Sequence, residues 1–142
     1  FLVEDGQGLL GVGREKDLVA QVGQGQAQDF PDVQFTTDLS LVSRILSNMI
    51  INALEATDEN GTVKIWAEFE DGVVFFHVWN AVEIPTKYVK RIFQRNFSTK
   101  DQDGRGIGTF SMKLFGEKIL GGKVFFTTSA DTGTRFTFSL PV

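Results

Sequence analysis

Cysteine is absent from this sequence, and there is a single histidine, His77. Disulfide bonds and thiol chemistry are therefore excluded, and a structural zinc site has too few of its usual ligands. Lysine and arginine number 14 against 18 for aspartate and glutamate, so the net charge is −4. This acidic balance argues against a nucleic-acid-binding surface.

Long apolar runs are also lacking. No segment approaches the roughly 18 apolar residues of a membrane-spanning helix, and no signal-peptide pattern opens the chain. At 142 residues the chain is long enough for one hydrophobic core and too short for two ordinary domains. We therefore expect one cytoplasmic domain, monomeric in isolation, that makes no membrane contact of its own.

The chain divides into a weakly patterned front, 1–32, and a strongly patterned domain, 33–142. In the front part, residues 1–12 are predicted to pair as a short hairpin around Asp5-Gly6. A helix is predicted over 14–28, although two glycines in its second half weaken that prediction.

Hydrophobic periodicity beyond residue 32 predicts alternating helices and strands. Helices are predicted from an N-cap at Asp38 to about Thr57, over 85–93 and over 107–120, with a polar, glycine-bearing lid at 94–106. The first of these helices has an apolar stripe made of Leu39, Val42, Leu46, Met49 and Ala53. Strands are predicted at 33–37, 63–69, 73–80, 124–128 and 134–140.

Two polar residues lie in phase with apolar residues on predicted strands. Alternation places Asn80 on the apolar face of strand 73–80 and Thr134 on the apolar face of strand 134–140. Either these side chains read an adenine base, or they cap turns at the strand ends. His77 falls on the opposite face, where we interpret it as a structural or surface histidine.

An amide pair and a glycine series together predict a nucleotide site. Asn48 and Asn52 are four residues apart, so they share one face of a helix, where one amide can bind a metal ion and the other can orient phosphate or water. Gly104, Gly106 and Gly108 precede another helix, whose first N–H groups can approach phosphate oxygens. Alone, the amide pair is typical of a solvated helix face. The order and separation of both features indicate ATP.

Several ordered motifs resemble the catalytic ATP-binding domain of bacterial sensor histidine kinases. Their superfamily also contains DNA gyrase, the ninety-kilodalton heat-shock chaperones and the mismatch-repair ATPases. The resembling segments are Asn48 to Ala53 (N box), Ile92-Phe93 and Phe97-Ser98-Thr99-Lys100 (F box), Gly104, Gly106 and Gly108 (G2 box), and Gly133-Thr134-Arg135-Phe136 with Leu140-Pro141 in the closing strand. The resemblance covers roughly residues 38–141.

This resemblance implies a fold and a set of roles. The fold is an α/β two-layer sandwich of the Bergerat type, a mixed sheet covered on one face by helices, with ATP held beneath a flexible lid. Asn52 is then the expected Mg²⁺ ligand, and Asn48 contacts phosphate or an ordering water. Lys100 is an expected phosphate cation, Asn80 and Thr134 form the adenine end, and the glycines of the G2 box hold phosphates.

The resemblance also implies a reaction and partners. ATP would donate its γ-phosphoryl group to a histidine on a separate dimerisation domain, and a response regulator would be an indirect partner. No acceptor helix occurs in the chain, so it corresponds to the ATP-binding part of a longer protein whose whole can be membrane-anchored. Members that hydrolyse ATP carry a glutamate where this chain has Asn48. An amide cannot accept a proton near neutral pH, which favours phosphoryl transfer over hydrolysis.

One motif departs from the family pattern. Where the family has a glycine-containing G1 box, this chain reads Asn80-Ala81-Val82-Glu83-Ile84-Pro85, without the glycines and one residue shorter. Asn80 can still accept a hydrogen bond from the adenine amino group, but without the charge of a carboxylate. Two hypotheses remain: a kinase domain with a variant adenine site, or a degenerate domain that serves as a regulatory interaction module.

Overall fold

The computed structural model describes residues 4–5, 8–9, 35–95, 97 and 108–142. The predicted helix 14–28 and most of the predicted lid lie outside these residues, as do Lys100, Gly104 and Gly106. The description below concerns the described ranges alone.

The longest helix, α1 (Leu39–Ala56), begins where the sequence predicts. Asp38 is its N-cap, and the side-chain oxygen Oδ1 accepts a hydrogen bond from Leu41 N–H at 3.1 Å. This bond satisfies one of the backbone donors that a helix start leaves unpaired. At the other end, the Thr57 hydroxyl donates to Ala53 O at 2.6 Å and closes the last turn.

The buried face of α1 differs in one respect from the predicted stripe. Ile45 is fully buried at 0% exposure, although the prediction omitted it, whereas Leu46 is only partly buried. The residues of α1 that reach the core are Val42, Ile45, Met49 and Ala53. The direction in which the helix packs onto the sheet, which periodicity alone does not fix, places Ile45 rather than Leu46 in the core, while Val42, Met49 and Ala53 are buried as predicted.

Strands β1 (Glu4–Asp5) and β2 (Gly8–Leu9) form a two-stranded sheet at the front of the chain, and the next four strands form a larger antiparallel sheet in the order β3-β4-β6-β5. Their bounds are Val63–Glu70 for β3, Val73–Asn80 for β4, Lys123–Ser129 for β5 and Gly133–Pro141 for β6. One face is covered by helices, and its core residues alternate along β4 and β6 as predicted. This arrangement confirms the α/β two-layer fold.

The predicted strand 33–37 is wrong in its described part. Residues 35–37 form no strand, and no strand of the described sheet pairs with them. Extended residues become a strand only when their backbone groups find a partner ladder, and here Asp38 starts a helix at once. The described sheet is consequently antiparallel throughout, and its mixed character is not seen in this part of the chain.

Tight turns explain why the strands pair in this register. The β3–β4 turn places Asp71 and Gly72 at φ 49° and 79°, the geometry of a two-residue hairpin that twists with its strands. At the front of the chain, β1 (Glu4–Asp5) pairs with β2 (Gly8–Leu9) in antiparallel fashion, and the rest of the predicted hairpin lies outside the described residues.

Two shorter helices follow β4 along the chain. Helix α2 (Thr86–Val89) is shorter than predicted, and α3 (Gly108–Lys113) continues into a π-helical segment, Leu114–Ile119. In that segment Gly116 lies so close to the sheet that an added Cβ would be 2.6 Å from a methyl group of Val124. Of the helices in these ranges, none combines the length and apolar character needed to cross a bilayer.

His77 belongs to the face of the sheet opposite α1, as the strand phase predicts. It is nevertheless only 6% exposed, because its ring stacks on Trp66 with centroids 4.8 Å apart. Its Nδ1 bonds the Thr137 hydroxyl at 2.9 Å, and Glu68 lies 3.6 Å from Nε2. Burial lowers the pKa of His77 below 6.5, an effect that Arg135 strengthens and Glu68 opposes.

Candidate functional site

The first part of the site, the phosphate end, consists of Asn48, Asn52 and Gly108. The Asn48 side chain donates from Nδ2 to Gly108 O at 3.3 Å. This bond joins the middle of α1 to the first residue of α3, across 60 positions of sequence. An added Cβ on Gly108 would lie 3.7 Å from Asn48 Oδ1, so the two residues are in contact. The first amide of the pair and the last glycine of the series are therefore in contact.

Asn52 has a different environment from Asn48. It lies one helical turn further along α1 and is half-buried, and its Nδ2 has no hydrogen-bond partner among the described residues although solvent cannot reach it. A buried polar group without a partner costs about 1 to 3 kcal/mol, so such groups in a native fold call for an explanation. A bound anion, a water or a metal-bound ligand would supply one.

A magnesium ion at Asn52 would take few of its ligands from the protein and most of them from water and a bound phosphate. In the described ranges, no three histidine, cysteine, aspartate or glutamate side chains come together as a metal cluster. Mg²⁺ commonly takes one or two protein oxygens and completes its shell with water and substrate phosphates. The Asn52 amide oxygen can therefore contribute one ligand, provided that a phosphate-bearing molecule supplies others.

The second part of the site, the base end, lies where β4 meets β6. Asn80 and Thr134 are direct partners across these strands, with exposures of 4% and 2%. Val82 N–H donates to Asn80 Oδ1 at 2.9 Å, so Asn80 caps the turn that follows β4. Gly133 packs against the same turn at φ 72°, and an added Cβ would be 2.2 Å from Asn80 O.

Hydrogen bonds fix the orientation of the hydroxyl groups at the base end. The Thr134 hydroxyl donates to Val82 O at 2.7 Å, so its proton is committed there. The bond of 2.7 Å between Thr134 and Thr128 must then be donated by Thr128. Thr128 in turn accepts from Ile84 N–H at 2.9 Å. This chain of bonds holds the segment that replaces the glycine-containing G1 box.

Both polar residues of the strands thus do cap turns, which was one of the two interpretations. This geometry is also compatible with the other interpretation, in which these side chains read an adenine base, because the Asn80 side-chain oxygen has two lone pairs and uses one of them in the turn. Thr128 is a functional candidate that sequence reasoning missed. It lies in phase with Val124 and Phe126 on β5, and the strand alternation could have revealed it.

The two aromatic residues of the F box, Phe93 and Phe97, pack against different neighbours. Phe93 packs against Phe126 and Phe136, with ring centroids 5.6 and 6.2 Å away. Phe97 is buried between Tyr88, at 5.5 Å, and the Arg91 guanidinium, at 4.5 Å from the ring. Phe93 is therefore partly buried against the core of the sheet, whereas Phe97 is buried against Tyr88 of α2.

Comparison with known proteins gives a consistent picture. Residues 37–142 match the family described as histidine kinase-, DNA gyrase B- and HSP90-like ATPase. A probable C4-dicarboxylate sensor kinase of Halalkalibacterium halodurans is 34% identical over 142 aligned residues, which cover 94% of this chain and 26% of that protein. The chain thus spans about a quarter of the length of this curated relative.

Solved structures agree with the sequence comparisons. The nucleotide-free catalytic domain of the histidine kinase ThkA superposes with a TM-score of 0.65 at 34% identity, covering 74% of this chain and 68% of that one. A complex of ThkA with the response regulator protein TrrA gives a TM-score of 0.66 at 31% identity, covering 80% of this chain and 32% of that chain.

Proposed function

The chain belongs to the family of histidine kinase-, DNA gyrase B- and HSP90-like ATPases, and from this premise we propose that it is the ATP-binding catalytic part of a sensor histidine kinase. The observation that carries the proposal is the bond between Asn48 and Gly108, because it joins the first amide of the pair to the last glycine of the series. The reaction is transfer of the γ-phosphoryl group of ATP to a histidine on a separate dimerisation domain.

In this proposal the base is bound beside Asn80 and Thr134, and the triphosphate lies along α1 toward α3. Asn52 contributes an amide oxygen to Mg²⁺ and its unpaired Nδ2 to a phosphate oxygen or a metal-bound water. Lys100, Gly104, Gly106 and Gly108 hold the phosphates by charge and by backbone N–H groups. A magnesium ion held by Asn52 and the phosphates would supply positive charge that offsets the charge on the phosphates.

Asn48 favours transfer over hydrolysis. Its amide has no basic site to take a proton from water, and its Nδ2 is already engaged with Gly108 O. Water in the site would therefore be a poor nucleophile, while an acceptor imidazole brings its own lone pair. The chain thus positions ATP, and the nucleophile comes from a partner.

The proposed partners follow from the reaction. The dimerisation domain supplies the histidine, and a response regulator receives the phosphoryl group afterwards, in agreement with the relative solved together with one. We place the domain in the cytoplasm, where ATP is available. We do not propose the interaction-module alternative, because the relatives that this chain matches are named as a sensor kinase and as histidine kinase catalytic domains.

The test is phosphotransfer in trans. The chain is mixed with radiolabelled ATP, Mg²⁺ and the dimerisation domain of its parent protein, and acid-labile label is measured on the acceptor. Asn52→Ala should reduce the rate at least about 100-fold, as expected for loss of a charge-positioning contact in the transition state. Asn60→Ala, which changes an exposed asparagine in a turn, is the matched control and should retain the rate.

Two results would contradict the proposal. Acid-stable label on this chain alone would indicate a different acceptor chemistry. A nucleotide-bound chain that never labels the acceptor histidine would remove the transferase activity.

A further inference from the structure

We propose that Thr109 is a positioning residue for the phosphate end, and that its hydroxyl group holds Gly108 against the Asn48 amide. This role rests on the proposed nucleotide site and deepens it, because Thr109 acts through Gly108 rather than on the nucleotide itself. In the sequence, Thr109 is simply the residue that follows the glycine series.

The Thr109 hydroxyl joins α3 to the segment that follows α2. Thr109 is the second residue of α3, and its Oγ1 donates to Ile92 O at 2.5 Å. Ile92 lies beyond the end of α2, in a run of turns. The backbone hydrogen bonds of the neighbouring turns, made by Arg91 and Gln94, do not use the Ile92 carbonyl. The bond spans 17 positions and fixes the start of α3 relative to this segment.

A second contact between the same two segments lies one helical turn further along α3. Lys113 is four residues after Thr109, so the two side chains share one face of the helix. Lys113 Nζ lies 4.7 Å from the centre of the Phe93 ring. Phe93 itself packs against Phe126 and Phe136 of the sheet. The segment that accepts the Thr109 proton is therefore anchored to the core and can serve as a fixed point for α3.

The residue before Thr109 makes a contact on the other side. Gly108 O accepts from Asn48 Nδ2, so adjacent residues of α3 are bonded to α1 and to the segment after α2. At 3.3 Å the Asn48 bond is longer than the usual range of about 2.7 to 3.2 Å, and a small shift of α3 away from α1 would break it. The Thr109 bond opposes such a shift, because it holds the same turn of α3 in place.

The expected consequence for binding is a change in its entropic cost. An amide that is already oriented can bind a phosphate or an ordering water without losing further rotational freedom, whereas a free amide must be ordered as the ligand binds. Removing the Thr109 hydroxyl transfers that cost to the binding step, and it should weaken ATP by about tenfold.

Thr109→Val is the decisive substitution, because valine has nearly the same shape and lacks the donor. Thr109→Ser retains the hydroxyl group and should restore binding. The matched control is Ser111→Ala, which removes the other hydroxyl group of α3. For each variant, Kd for ATP in Mg²⁺ is measured by competition with a fluorescent nucleotide, and thermal melting reports whether the protein is folded.

We expect Thr109→Val to raise Kd at least about fivefold, and Thr109→Ser and Ser111→Ala to stay within about twofold of the wild type. A double-mutant cycle then identifies the residue through which Thr109 acts. In an Asn48→Ala background, Thr109→Val should change Kd by less than about twofold, because the amide that it positions is already missing. In a Thr128→Val background, at the base end, Thr109→Val should keep its full effect.

A folded Thr109→Val protein that melts at a lower temperature but binds ATP as tightly as the wild type would overturn the inference and leave the ATP site intact. Additive effects of Thr109→Val and Asn48→Ala would overturn it as well. If Thr109→Val does not fold, Thr109→Ser decides, since a rise in its Kd of more than about tenfold would contradict the role of the hydroxyl group. A wild-type chain that binds no ATP would instead remove the proposed function itself.

Discussion

The two ends of the proposed site are completed in different ways. At the base end, the chain satisfies its own polar groups: Asn80, Thr134 and Thr128 are joined to the backbone of the segment after β4 by short hydrogen bonds. At the phosphate end, Asn48 is bonded to Gly108, but Asn52 Nδ2 has no partner among the described residues. Among the described residues, the base end is therefore organised by the protein itself, and we propose that a ligand completes the phosphate end.

This difference has an energetic meaning. A buried donor without a partner costs about 1 to 3 kcal/mol in the ligand-free protein, and a bound phosphate or metal-bound water can recover that cost. A turn whose hydrogen bonds are already made gains no such term when a base arrives. Ligand binding should accordingly stabilise the phosphate end more than the base end.

The largest expected effect comes from disrupting the base end with Gly133→Ala. An added Cβ would meet Asn80 O at 2.2 Å and Ala81 Cα at 2.8 Å, in a residue at φ 72°. Because both atoms belong to the backbone, the turn itself must move, and we expect a loss of about 2 to 4 kcal/mol in the free energy of unfolding. Urea denaturation measures it.

Gly121→Ala is the matched control for this substitution. Gly121 has the same φ of 72°, but an added Cβ would meet nothing within 4 Å. It therefore reports the backbone strain alone, at about 1 kcal/mol. Equal losses in the two variants would show that the close approach of Gly133 to the turn is unimportant.

Replacing each amide by leucine tests the comparison directly, because the two ends should respond with opposite signs. Asn80→Leu leaves Val82 N–H without its acceptor and should cost about 1 to 3 kcal/mol of unfolding free energy in the absence of ligand. Asn52→Leu removes a donor that already lacks a partner and should stabilise the ligand-free protein by up to about 1 kcal/mol.

Adding nucleotide gives a second test of the Asn52→Leu variant. The rise in melting temperature on adding Mg²⁺ and ATP should disappear in Asn52→Leu, because the substitution removes the amide that we propose contacts Mg²⁺ and phosphate. A destabilised Asn52→Leu protein would contradict the view that this end is incomplete without a ligand.

A smaller effect is expected from Thr128→Val at the base end. The substitution leaves Ile84 N–H without an acceptor and Thr134 without a donor, at a cost of about 1 to 2 kcal/mol. Amide hydrogen exchange at Ile84 should accelerate accordingly. Thr127→Val, the same change on the exposed neighbouring residue, serves as the control and should alter neither quantity.

The smallest expected effect is a pH dependence of stability. It should come from His77, on the opposite face of the sheet, and not from the two ends of the site. Asn48, Asn52, Asn80 and Thr134 do not titrate, whereas burial lowers the pKa of His77 below 6.5. As pH falls through 6.5, the unfolded chain binds a proton before the folded one does, so the free energy of unfolding decreases until the pH passes below the folded pKa.

Denaturation between about pH 5 and 7.5 should show this decrease, and His77→Gln should remove the His77 contribution to it. The charged groups that face the imidazole are Glu68 on β3 and Arg135 on β6. A slope that persists unchanged in His77→Gln would assign the pH dependence to other groups.

Much of the fold could be predicted because its signals are local. Asp38 is followed by an apolar helical period, Asp71-Gly72 forms a tight hairpin turn, and strand alternation correctly put Asn80 and Thr134 on the core face. The predicted strand at 33–37 failed over 35–37 because a strand depends on a partner ladder, which local pattern does not contain.

The sequence by itself determined which residue types are present for the site, namely two amides on one helix face, a glycine before α3 and two polar residues at strand ends. Only the tertiary structure decided which of them are already satisfied. The contact of Asn48 with Gly108 spans 60 positions, and that of Thr134 with Val82 spans 52. Both contacts depend on how the helices pack and on how β4 and β6 pair, which spacing along the chain does not encode. Among the described residues, the hydrogen bonds of the base end are made within the protein, whereas Asn52 Nδ2 at the phosphate end has no partner.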